Sequence, residues 1–170
     1  MLEGLGNLGD FIGGIAVVMS LIYLAIQVRA NTRAVQSSSR QQVAEQYRIT
    51  NRLRLDPEKA EAFWEGLVYY PDMPIAKRHL FGGLITEEAL FFQSVFAMHE
   101  SAQLEGETYE AYLRWFSSVV ATPGGKHQWD DAIKPIFPRR MISAVEKYMG
   151  QGQLLELTTM FPPHRNSDLD

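Results

Sequence analysis

Between Asp10 and Arg29 the chain runs for 18 residues, Phe11 to Val28, without a charged side chain, and a ladder of arginines follows. As a helix rising about 1.5 Å per residue this run covers about 27 Å, close to the ~30 Å of bilayer hydrocarbon, with Leu8 and Gly9 to cover the shortfall. Ser20, Tyr23 and Gln27 are the polar side chains inside it, so it lacks the polar face of an ordinary amphipathic core helix. A cleavable leader needs a basic start and a small-residue cleavage site. This run starts behind Glu3 and Asp10, and Gln27–Arg33 carries no Ala-x-Ala pattern. The expectation is that residues 1–28 form a short acidic N-terminus and a single transmembrane helix, with a buried core helix as the alternative.

Charge asymmetry orients such a helix. Arg29, Arg33, Arg40, Arg48, Arg52 and Arg54 follow the run with only Glu45 among them, and basic residues close behind a span stay on the cytoplasmic side. The amino terminus is then outside and the rest cytoplasmic, in a bacterial inner membrane. Arg29 and Arg33 are the orienting pair. Arg40 lies about 16 Å past Arg29 along a helix, beyond a Debye length of about 8 Å.

Through the start of this helix Gly6, Gly9, Gly13, Ala16 and Ser20 recur every three or four residues on one narrow face. In lipid, helices associate by close backbone approach, which small residues permit. The face reads as a packing seam against another transmembrane helix, from a second copy or a complex subunit; the plain alternative is the ordinary abundance of glycine and alanine in membrane helices. Lipid and that helix are the expected partners.

Residues 29–54 carry six arginines against one glutamate, a balance of +5, and residues 55–170 carry 10 basic against 17 acidic side chains, a balance of −7. The acidic part is a poor match to nucleic acid. With no cysteine in the chain, disulfides, thiolate catalysis and cysteine-based metal sites are excluded.

Beyond the run the pattern is all-α. Residues 29–55 read as a basic juxtamembrane stalk helix, loosened by Ser37-Ser-Ser39. Asp56-Pro57 starts a helix whose face is Ala60, Phe63, Trp64, Leu67 and Val68, broken by Tyr70-Pro-Asp-Met-Pro74. Thr86 with Glu87 and Glu88 suggests a second start, leading into Leu90, Phe91, Phe92, Val95 and Phe96. The two glutamates argue against a second span, since carboxylates at that depth are costly. A third face runs Tyr109, Tyr112, Leu113, Phe116, Val119 and Val120 up to Thr122-Pro-Gly-Gly125. A short helix with Trp129 and Ile133 and a last one with Met141, Ile142, Val145, Tyr148 and Met149 complete a bundle over 56–161, before a disordered tail at 162–170.

The string Gly9-Asp-Phe-Ile-Gly-Gly-Ile-Ala-Val-Val-Met-Ser-Leu-Ile-Tyr-Leu-Ala-Ile-Gln-Val-Arg-Ala-Asn-Thr-Arg-Ala-Val35 resembles the opening of a family of uncharacterised bacterial single-span membrane proteins. Ala121-Thr-Pro-Gly-Gly-Lys-His-Gln-Trp-Asp130 resembles its distal half. The resemblance implies an anchored helical protein and carries over no activity.

No complete catalytic, metal or cofactor constellation emerges. His127 and Asp131, at i and i+4, offer two ligands without a third. Glu88 and His99 fall on nearly one helix face, but the paired Glu-x-x-His motifs of di-iron bundles are missing. Thr122-Pro-Gly-Gly-Lys126 lacks the P-loop pattern and reads as a turn in which glycine supplies positive φ. Trp115 falls off the main face of its helix and is the candidate contact surface. The expected function is a membrane-anchored helical interaction or scaffold protein, not an enzyme, docking on or within a membrane complex. The second reading is a membrane-tethered cytosolic ligand sensor or enzyme.

Overall fold

The computed structural model describes the backbone of residues 2–160 and the side chains of residues 11–160 other than Leu53. The fold is all-α, with no strand among the described residues. Seven α-helices follow one another: α1 (Leu2–Arg52), α2 (Pro57–Tyr69), α3 (Ile75–Glu100), α4 (Gly106–Ala121), α5 (Pro123–Gln128), α6 (Arg139–Met149) and α7 (Leu157–Met160). Two of them are long and apolar enough to cross a membrane, α1 over Phe11–Arg52 and α3. They differ in surroundings: 44% of the apolar window of α3 is buried inside the protein, and none of that of α1.

The chain forms two units, one up to Ser38 and a compact one from Ser39 onward. The compact unit therefore begins within residues 29–55, the stretch that reads as a stalk helix. Its physical reason is Val43, 1% exposed, and Tyr47, whose ring lies 5.5 Å from Phe91 and 5.7 Å from Tyr112. The serine triplet does not interrupt α1, and Ser39 is buried. The tail expected at 162–170 lies outside the described residues.

Asp56 and Pro57 start α2 as their chemistry requires. The Asp56 carboxylate accepts from the Glu58 and Lys59 amides at 3.1 and 3.3 Å, and proline loses nothing at the first helical position. Tyr70–Asp72 makes a 3₁₀ turn. The second start, expected at Thr86, lies instead at Ile75. Thr86 is mid-helix, its hydroxyl donating to the Gly82 carbonyl at 2.8 Å; the apolar spacing of Phe81, Leu84 and Ile85 continues the helix through both glycines. At the far end Ala102 takes φ +57°, and the Gln103 amide reaches back to the Met98 carbonyl at 2.9 Å, closing α3.

The core is aromatic and centred on α3. Phe92 stacks on Phe116 at 4.8 Å, Phe116 meets Trp129 edge-on at 6.0 Å, and Phe63 and Phe81 join α2 to α3. Burying a side chain of that size is worth about 2–3 kcal/mol. Lys77 ties the start of α3 to α2 through Glu61 at 2.8 Å and Glu65 at 3.0 Å.

Thr122-Pro-Gly-Gly125 ends α4 and also begins α5. The Thr122 hydroxyl accepts from the Gly125 amide at 3.1 Å. The glycines there are helical, not left-handed; among the described residues positive φ falls on Gly152 and Ala102. What they supply is close approach. A Cβ on Gly124 would lie 1.8 Å from the Gly66 carbonyl oxygen, and one on Gly66 2.2 Å from the Phe81 ring. Gly124→Ala is expected to cost about 3 kcal/mol or more in urea unfolding. Gly83→Ala, with nothing within 4 Å of the new methyl, should instead stabilise by about 0.5–1 kcal/mol.

Candidate functional site

Every side chain from Phe11 to Val28 is exposed, and continuous apolar surface on this scale is the kind that marks protein or membrane contact sites. Gly13, Ala16 and Ser20 share one face of this segment; Gly6 and Gly9 fall where only the helical backbone is described. A Cβ on Gly13 would meet nothing within 4 Å, so the face is open to a partner's backbone. The Ser20 hydroxyl donates to the Ala16 carbonyl at 2.8 Å and leaves no unsatisfied donor on the seam. On the opposite side Phe11, Gly14, Ile15, Val18 and Met19 frame a shallow apolar notch. Arg29 and Arg33 follow on exposed turns.

The second locus is a buried charge cluster at the elbow between α1 and α2. The elbow is a 3₁₀ turn, Leu53–Leu55, ended by extended backbone at Asp56. Arg54 points inward, its side chain 9% exposed, and pairs with Glu88, 1% exposed, in the middle of α3. The other Glu88 oxygen accepts from the Trp115 indole Nε1–H of α4 at 3.2 Å. The guanidinium carbon stands 5.0 Å from the Phe63 ring centroid and 5.7 Å from that of Trp115. Its remaining donors turn back to α1: Nε and Nη2 both donate to Asn51 Oδ1, at 3.1 and 2.9 Å. Four helices thus meet on one guanidinium, and both carboxylate oxygens are satisfied.

Trp115, the candidate contact surface, is half-buried; it leaves the main face of α4 and turns toward Arg54 and Glu88. Glu88 and His99, on nearly one helix face, have separate partners. His99 stacks flat on Tyr109, ring centroids 3.9 Å apart and planes within 3°, while Glu88 is committed to Arg54. Neither Arg54 nor Asn51 is singled out by local pattern. The available signal was the carboxylate itself, since an ionised side chain inside an apolar run requires a cation.

The other candidates lie apart from this cluster. His127 Nδ1 and Asp131 lie 2.9 Å apart on the surface, and no group of three or more metal-ligating side chains occurs among the described residues. Next to them Asp130 meets Lys134 at 2.8 Å and Lys126 at 3.2 Å, and Lys134 continues to Glu146 at 2.8 Å. Phe63, Phe91, Phe92, Phe116 and Trp129 are core. Open clefts flank the bundle: one of about 310 Å³ between α4 and α6 includes Tyr109, Arg114, Lys147 and Tyr148, and one of about 390 Å³ lies between Gln46 and Thr50 of α1 and Glu87 to Ala97 of α3.

Trp115→Phe keeps a ring beneath Arg54 but deletes the donor to Glu88; a loss of about 1–3 kcal/mol is expected in denaturant unfolding. The Lys134 ammonium, ahead of that of Lys126, holds the Asp130 carboxyl below its ordinary 3.8. A carboxyl lowered on folding stabilises above its unfolded value, and the gain is lost as pH falls through the folded one. Carbon-detected NMR titration should place the Asp130 midpoint below 3.8, and Lys134→Ala should bring it back up.

Comparison of the chain with protein-family models, with curated proteins and with solved structures gives no match.

Proposed function

We propose that the protein is a membrane-anchored helical interaction protein, with Phe11–Val28 spanning a bilayer and the bundle serving as an accessory module of a membrane complex. The observation that carries this reading is the complete exposure of that apolar segment. A helix apolar on every face has its backbone satisfied internally and needs an apolar solvent around its side chains; lipid hydrocarbon is one. Arg29 and Arg33 support an orientation with the bundle in the cytoplasm, in keeping with a bacterial inner membrane. The seam of Gly13, Ala16 and Ser20, extended by Gly6 and Gly9, supports a second transmembrane helix as partner.

The absence of native cysteine makes topology mapping clean. Full-length protein should stay with membranes after alkaline carbonate washing, and Val17→Arg, placing a charge mid-span, should release a large fraction of it. In intact cells a membrane-impermeant maleimide should label Glu3→Cys and spare Ser101→Cys. Gly13→Ile should abolish crosslinking to a neighbouring helix while leaving the bundle's unfolding midpoint unchanged. Recovery of the wild-type chain as a water-soluble monomer would overturn the reading.

A further inference from the structure

Residues 39–52 of α1 are held to the bundle at few points. Ser39 and Val43 are buried, while Gln46, Tyr47, Thr50 and Asn51 are half-buried. The outermost hold is an ion pair, Arg40 to Glu105 at 3.3 Å, with side chains 50% and 41% exposed; pairs so exposed contribute little. Next comes Tyr47 against Phe91 and Tyr112. The last is the Arg54 guanidinium.

That guanidinium is shared in an instructive way. Two of its nitrogens donate to Asn51, which lies on α1, and a third pairs with Glu88, which lies on α3. Between Asn51 and α2 the backbone leaves the α-helix, as the Leu53–Leu55 3₁₀ turn and extended Asp56. Asn51 and Glu88 can both be served only while α1 lies against α3. If the helix swings about this elbow, the guanidinium must give up Asn51 or leave the buried carboxylate uncompensated, and both are unfavourable in a low-dielectric interior.

We propose that residues 39–52 form an arm that opens from the bundle as a unit about the Leu53–Asp56 elbow, and that the Arg54 guanidinium, bridging Asn51 and Glu88, is the pin that holds it closed. Opening leaves the aromatic core of α2, α3 and α4 intact and uncovers Val43, Phe91 and Tyr112. The pin acts in the same way whatever covers Phe11–Val28.

Thiol trapping tests this, because these 170 residues contain no cysteine. Val43→Cys places a thiol under the closed arm, and Val95→Cys places one in the core; the native residues are 1% and 0% exposed. In detergent, a small thiol reagent should modify position 43 much faster than position 95. Asn51→Ala should raise the rate at 43 about tenfold or more without changing that at 95. Alanine is the better helix former, so loss of helicity would not account for the rise. Glu88→Gln should raise the rate at 43 about a hundredfold. Glu105→Ala, which breaks the exposed pair, should change it by no more than a few-fold. Equal acceleration at both positions would mean that the cluster supports the whole core, and an unchanged rate at 43 in Asn51→Ala would mean that it does not hold the arm; either result overturns the proposal.

Discussion

A carboxyl group buried at the centre of the most apolar helix of a bundle is costly unless its oxygens find partners, and much of this structure answers that demand. Glu88 is 1% exposed. Its partner comes from outside the core helices, from the turn after α1, and Trp115 and Phe63 complete the enclosure with an indole donor and two ring faces. Replacing both charges with apolar groups would cost little or even stabilise, while removing one would cost about 3–5 kcal/mol. The cluster is thus less a source of stability than a specification of where α1 ends and α2 begins.

Around that joint the packing follows ordinary rules. Aromatic side chains at helical spacing fill the interior; Gly124 lets α5 approach α2, and Gly66 lets the Phe81 ring of α3 approach α2, more closely than any side chain would permit. Surface ion pairs such as Lys77 with Glu61 and Glu65, or Lys134 with Glu146, link neighbouring elements at the rim. The apolar stretch ahead of the bundle differs: its side chains from Phe11 to Val28 are exposed.

Much of the fold was legible before the structure. Asp56-Pro57 announces α2, the face of Tyr109, Tyr112, Leu113 and Phe116 announces α4, and proline and glycine at 122–125 announce the turn. The misreadings share a cause. Thr86 followed by Glu87 and Glu88 imitates a helix cap, because the local chemistry of a cap is the same whether or not a helix already precedes it. Gly124 and Gly125 look like turn glycines because a sequence does not distinguish the need for positive φ from the need for an absent Cβ. Trp115 looks like a surface residue because it lies off its own helix's face, and only neighbouring elements decide what meets it there.

The sequence by itself determined the all-α class, the helix boundaries marked by capping residues and proline, and the presence of one uninterrupted apolar segment. These rest on interactions between residues a few positions apart, where composition and spacing carry the information. Tertiary structure decided that the bundle begins at Ser39, that Arg54 serves Glu88 across 34 residues, and that Glu88 and His99 have separate roles. Those outcomes depend on which helices lie side by side, and that is settled by the packing of the whole compact unit, beyond the reach of any local pattern.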